Sequence, residues 1–182
     1  MRYLLISCWL VFCGVGCSAT PTQPTLHDFG LSVPTAIDRD KASVNINAPT
    51  WLWDNRIRYR LLFASPTQVR FYGLDRWIAS PPELLEQLLV FSGKTQDYSL
   101  IFRLQDFEQQ FDAPDRARVV LHFSVEAYSA NNKQKTGMQE FYLQQPTKTP
   151  DAAGAISGFT DLAHQAVEKV QDWLIELPGH RN

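Results

Sequence analysis

The chain has 182 residues, 45% hydrophobic and 20% charged, the composition of one ordinary globular domain and not of a disordered or fibrous chain. Its 17 basic and 19 acidic residues leave a formal charge of −2, so it lacks the positive footprint that neutralises a phosphate backbone, and nucleic acid is not an expected partner. All three cysteines, Cys8, Cys13 and Cys17, lie in the first tenth of the chain. The remainder can form no internal disulfide and no thiolate metal site, and must be held together by its core.

Arg2 is followed by an almost wholly apolar run over residues 4–15, with small Gly14 and Gly16 just before Cys17. This is the layout of an export signal. The run is too short to span a membrane, since a bilayer core of ~30 Å asks for ~20 apolar residues. A cysteine at the cleavage point resembles the lipobox of bacterial lipoproteins, in which that cysteine is acylated, palmitate among its chains, and becomes the mature N-terminus. Cys17 is the candidate lipid anchor, with conventional cleavage to a soluble secreted protein as the alternative. Several acyl chains on one residue hold stably, each buried methylene adding ~0.8 kcal/mol. Ser18 follows the cysteine where an Asp would signal retention at the inner membrane, so the resemblance implies the periplasmic face of the outer membrane. The expected organisation is a signal peptide over residues 1–16, a lipidated tether over 17–25 ending in "SATPTQPT", and a domain over 26–182.

In the domain, residues 26–31 and 43–46 are expected as short strands. Ile57, Tyr59, Leu61 and Phe63 alternate with Arg58, Arg60 and Leu62, which predicts a strand with one buried face, and residues 68–72 predict another. "SPPELLEQLL" opens a helix: Ser80 as N-cap, Pro81 at the first helical position, Glu83 closing a capping box, and Leu84, Leu85 and Leu88 as the apolar stripe. Alternating runs over 98–107, 117–128 and 139–144 are separated by turn chemistry in "DAPD" and "ANNKQKTG", and short connections make them antiparallel neighbours. From Asp151 to a stop at Pro178 and Gly179, apolar residues recur at threes and fours and predict one long helix. Its opposite face is mixed and slightly acidic, which suits core packing better than lying on a membrane. The fold class that follows is α/β: a single domain with a mixed, largely antiparallel sheet of five or six strands, flanked by a short helix and a long C-terminal helix.

Little in the sequence points to catalysis or to a cofactor. His27, His122, His164 and His180 are scattered, with no paired metal-ligand spacing, so no metal site is expected. "GAISG" places its serine one position late for a nucleophile elbow and reads as a helix start, and no phosphate-cradling glycine motif occurs. Asp106, Glu108 and Asp112 could pair as acid and base, but read more simply as a solvated strand end. The chain is therefore expected not to be an enzyme. Aromatic residues gather around the strand-to-helix junction at Trp51, Trp53, Phe71, Tyr72 and Trp77. Trp77 is expected to anchor the core beneath the Ser80 helix, while Trp51 and Trp53 suit either the core or a partner contact.

The stretch "YRLLFASPTQVRFYGLDRWIASPPELLEQLL", residues 59–89, resembles the ABC-type transport auxiliary lipoproteins, the family that includes the paraquat-inducible intermembrane transport lipoprotein. The likeness rests on Tyr59 and Arg60, Arg70 and Tyr72, Arg76 and Trp77, Pro81 and Pro82, then Leu84 and Leu85. "LQDFEQQFD" and the closing helix continue it in order over residues 26–177. The resemblance implies a non-enzymatic accessory of a lipid transport system between inner and outer membranes. Its partners would be an MCE-domain protein with its ABC permease and ATPase, and it leaves room for a homo-oligomer. The alternative is a periplasmic lipoprotein that itself holds a lipid or other hydrophobic ligand between sheet and helix.

Overall fold

A computed structural model of the protein describes residues 22–30, 43–91, 98–129, 131 and 133–177. The expected signal peptide, Cys17 and the tether up to residue 21 lie outside the described residues, as do Leu31, the 92–97 loop, and Pro178 and Gly179.

Hydrophobic alternation builds seven strands: β1 (Thr25–His27), β2 (Ser43–Asn47), β3 (Arg56–Leu61), β4 (Val69–Trp77), β5 (Tyr98–Ala113), β6 (Arg116–Ser129) and β7 (Lys135–Pro146). A 3-10 turn at Thr50–Leu52 and two helices, α1 (Pro81–Phe91) and α2 (Ala152–Glu176), complete the elements among the described residues. The sheet runs β1-β4-β3-β5-β6-β7, and β2 lies off this path against β5. Long β5 thus serves two parallel partners on one side, β2 along residues 99–103 and β3 along 109–111. On its other side β5, β6 and β7 form an antiparallel meander. The fold is the expected α/β domain with a mixed, largely antiparallel sheet, of seven strands where five or six were expected.

One extra residue decides which β5 side chains meet the helices. Leu100, Phe102 and Leu104 are buried in turn, and then the register with β6 slips between Leu104 and Asp106. This is a β-bulge, and because side chains alternate with period two it moves the inward set to Phe107, Gln109 and Phe111. Asp106, Glu108 and Gln110 are turned to the opposite face by the same slip. A larger irregularity separates β3 from β4: Arg56 stands opposite Arg76 but Arg58 opposite Phe71, so residues 72–75 oppose Ile57 alone. The strand expected to end at Tyr72 therefore continues to Trp77, its alternation interrupted by this bulge.

Helix α2 begins where Asp151 accepts a hydrogen bond from the Gly154 N–H at 2.8 Å, a side-chain cap for one of the orphan amides of the first turn. Its 25 residues extend roughly 38 Å at 1.5 Å per residue. The stripe Phe159, Leu162, Ala163, Ala166, Val170 and Leu174 packs on Val119, Leu121, Phe123 and Val125 of β6 and on Leu143 of β7. Helix α1 starts as expected, with the Ser80 N–H and hydroxyl both donating to Glu83 Oε2 at 2.8 and 2.6 Å. It packs its leucines against β2 and α2. Trp77 is fully buried, edge-on to Phe29 at 5.2 Å and to Phe159 of α2 at 6.0 Å.

Candidate functional site

Because β3 alternates, Arg56, Arg58 and Arg60 share the face turned away from α2. They line a groove of about 540 Å³ between the 3-10 turn and the turn that joins β3 to β4. Thr50, Trp51, Thr67, Val69 and Phe71 also line it. Asp54 reaches back over two residues and takes the Arg56 Nε at 2.7 Å, along with a second contact from Nη2, while the Arg56 guanidinium lies 3.7 Å over the Phe71 ring. That guanidinium holds the Asp54 carboxyl below its ordinary range.

Behind the groove, Glu108 is only 2% exposed. It accepts from Arg60 Nε at 3.0 Å and Nη2 at 3.1 Å, a bidentate pair, and from Gln110 Nε2 at 3.0 Å. Arg58 is 9% exposed, and its closest ionic approach is Nη2 to Glu108 Oε2 at 3.9 Å, beyond hydrogen-bonding range. Its Nε and Nη1 are buried with no hydrogen-bond partner. Burial pulls the Arg58 guanidinium below its ordinary pKa, against the pull of Glu108 and Asp106 in the other direction. Asp106 is pushed up by burial first and by the nearby Glu108 charge second. The expected solvated strand end is therefore a buried ion cluster, and this is a correction: the β5 bulge turns Glu108 toward arginines of β3, which a local reading of "QDFEQQFD" cannot show. Only Asp112 keeps a strand-end position, paired with Arg118 of the facing strand.

The residues that carry the family resemblance divide between the two faces of the β3–β4 unit. Arg60 joins the groove. Tyr59 and Tyr72 pack on the other face as a tilted pair with ring centroids 4.7 Å apart. There the Tyr72 hydroxyl donates to Gln109 Oε1 at 2.6 Å, and Gln109 Nε2 donates to the Asp151 carbonyl at 3.3 Å, tying β4 and β5 to the start of α2. Burial raises the Tyr72 pKa. Arg70 donates to Gln68 through Nε and Nη2. Arg76, opposite Arg56, has a buried Nε without a partner. Pro81 is buried at the start of α1 and Trp77 lies in the core. Trp51 and Trp53 are 62% and 45% exposed, so both of the pair face outward, with Trp53 Nε1 donating to the Ala48 carbonyl. Arg56, Arg58 and Asp54, which complete the groove, were not singled out from sequence; three arginines at alternate positions of one strand were the available signal.

Among the described residues, no group of three or more His, Cys, Asp or Glu side chains gathers as a metal site, and no helix is long and apolar enough to cross a membrane. His27 pairs with Asp75, His122 with Glu140, and His164 with the Phe29 carbonyl.

The fold has solved counterparts. A Xanthomonas campestris protein described as belonging to the family DUF330 superposes with a TM-score of 0.64 at 15% identity, over 73% of this chain and 81% of that one. A second crystal structure, of an uncharacterized protein, gives a TM-score of 0.65 at 13% identity over 84% of this chain and 99% of that one. At such identities the likeness is one of fold alone. No family model matches the chain, and no curated protein matches its sequence.

Proposed function

We propose that the protein is a lipid-anchored adaptor on the periplasmic face of the outer membrane, a non-enzymatic accessory that docks an MCE-domain protein of an ABC-type lipid transport system. The observation that carries this reading is the ordered run of family landmarks from Tyr59 to Leu85, all of it contained in one continuous unit of β3, β4 and the start of α1. Exposed Trp51 and Trp53 sit at the entrance to that unit, and large rings held open to solvent suit a partner contact. An anchor at Cys17 would raise the effective concentration of the domain at the membrane, so that weak contacts suffice.

The rival reading, a lipid held between sheet and helix, meets a filled interior. Phe107 and Phe159 stack there at 4.0 Å, with Phe102 and Phe123 stacked at 4.4 Å beside them. A lipid would have to displace these rings.

The test is expression of the full chain in a bacterium that has such a system, with a clickable palmitate analogue in the medium. The reading expects label on the wild type, none on Cys17→Ser, and recovery of an MCE-domain protein from crosslinked membranes by the wild type but weakly by the Trp51→Ala/Trp53→Ala double variant. Label that survives Cys17→Ser, or recovery of no MCE-domain protein by the wild type, would overturn it.

A further inference from the structure

Beyond the adaptor reading, and sharing only Trp51 with it, the geometry points to the arginine groove as a binding site for a phosphate ester that carries an apolar moiety. Arg58 is the decisive group. A buried cation is costly unless paired and hydrogen-bonded, yet the carboxylate nearest to Arg58 is already committed to Arg60 and Gln110, and two of its own donors have no partner. Arg58 lines the groove, so an oxyanion there accepts from the donors that Glu108, 3.9 Å away, leaves without a hydrogen bond.

The charges around it leave room for an anion. Arg56, Arg58, Arg60 and nearby Arg76 outnumber Asp54, Asp106 and Glu108 by one. The choice of phosphate follows from shape and number. A carboxylate presents its two oxygens in one plane, whereas a tetrahedral phosphate monoester presents three and can meet Arg58 while other oxygens face Thr50 and Thr67. A volume of about 540 Å³ is far more than a bare phosphate fills, and the Trp51, Val69 and Phe71 walls suit the apolar part of an ester.

The test is calorimetric titration of the full chain in dodecyl maltoside at fixed ionic strength, with inorganic phosphate, dihexanoyl phosphatidic acid (a phosphate monoester) and hexanoate as separate probes. Saturable binding of the short-chain lipid is expected, with inorganic phosphate weaker by at least about tenfold because it leaves the apolar walls uncovered. Binding of the two with equal affinity would locate recognition in the phosphate alone and would overturn the ester. Arg58→Met is expected to weaken lipid binding at least about tenfold, and Arg58→Lys to an intermediate degree, while exposed Arg103→Gln changes nothing. Absence of saturable binding, equal binding of hexanoate, or an affinity unchanged in both Arg58→Lys and Arg58→Met would overturn the assignment. Should Arg58→Met fail to fold, Arg58→Lys alone decides.

Discussion

Arg60 closes a two-toothed salt bridge on Glu108, Nε and Nη2 to the two carboxylate oxygens at 3.0 and 3.1 Å, across 48 residues of sequence. The pair holds β3 against the second half of β5 and neutralises the inner end of the groove. Glu108→Gln preserves shape but leaves Arg58 and Arg60 without their buried counter-charge. Breaking a buried pair from one side costs about 3 to 5 kcal/mol, and the lower end applies because Arg60 is 21% exposed. Urea denaturation should show a loss of about 3 kcal/mol, part of which returns when Arg58→Met is added, since that removes one of the two stranded cations. A loss below about 1 kcal/mol would show that the pair is not holding the strands.

Asp106 behaves in the opposite sense. Burial and the Glu108 charge raise its folded-state pKa, so the folded protein holds that proton more tightly than the unfolded chain does. The sign follows: its contribution turns against folding as pH rises through the raised folded pKa, and the penalty disappears as pH falls below the ordinary carboxyl value. Asp106→Asn is therefore expected to be more stable than the wild type at pH 7 and to lose that advantage near pH 3. Parallel denaturation curves at the two pH values check this, and equal advantages at both would exclude a titrating Asp106 as the cause.

Those two carboxylates also mark where local sequence stops being informative. Helix starts could be read because their causes are local: Ser80 and Glu83 lie three residues apart, and Asp151 caps the Gly154 amide three residues on. The β5–β6–β7 meander was legible for a similar reason, since short turns join antiparallel neighbours. The bulges were not. An extra residue at Gln105 leaves the composition of the strand unchanged but reverses the facing of everything after it, so the alternation seemed to end at Phe107 when the strand runs to Ala113. Residues 72–75 likewise hid the second half of β4. Glu108 reads as solvated because its partner is remote in sequence, and the crossings that place β2 and β3 beside β5 are parallel pairings with no local signature. Fold class was thus readable, and the groove was not.

At the start of α2, Asp151 accepts from the Gly154 amide and from the Thr149 hydroxyl, and both bonds hold its pKa below the ordinary value, the Thr149 bond most strongly. Asp151→Ala should cost about 1 kcal/mol at pH 7, the usual worth of an N-cap. Because the folded pKa is depressed, that stability is present above the unfolded carboxyl value and is lost as pH falls through the folded one. The wild-type and Asp151→Ala curves should therefore converge at strongly acid pH. Thr149→Val, which removes the hydroxyl donor and so raises the folded pKa of Asp151, should bring the completion of that convergence to higher pH.

Two glycines allow α2 to lie where it does, and they differ in what they protect. A Cβ on Gly158 would stand 2.8 Å from Val119 Cγ2, a fully buried side chain of β6 that has little room to turn. Gly158→Ala should force the helix outward or Val119 off its rotamer, at about 1 to 3 kcal/mol, and Val119→Ala added to it should recover part of that loss by clearing the space. A Cβ on Gly154 would stand 1.9 Å from the Thr149 carbonyl oxygen, and backbone cannot be trimmed by a second substitution. Gly154→Ala should therefore be the more damaging change, unwinding the first turn along with its Asp151 cap, and no substitution at Thr149 should restore it. Thermal melts of Gly154→Ala, Gly158→Ala and Gly158→Ala/Val119→Ala decide the point. A Gly154→Ala protein that melts with the wild type would mean that residues 147–151 yield freely, and that the polar string from Tyr72 through Gln109 to the Asp151 carbonyl does not hold the helix start in place.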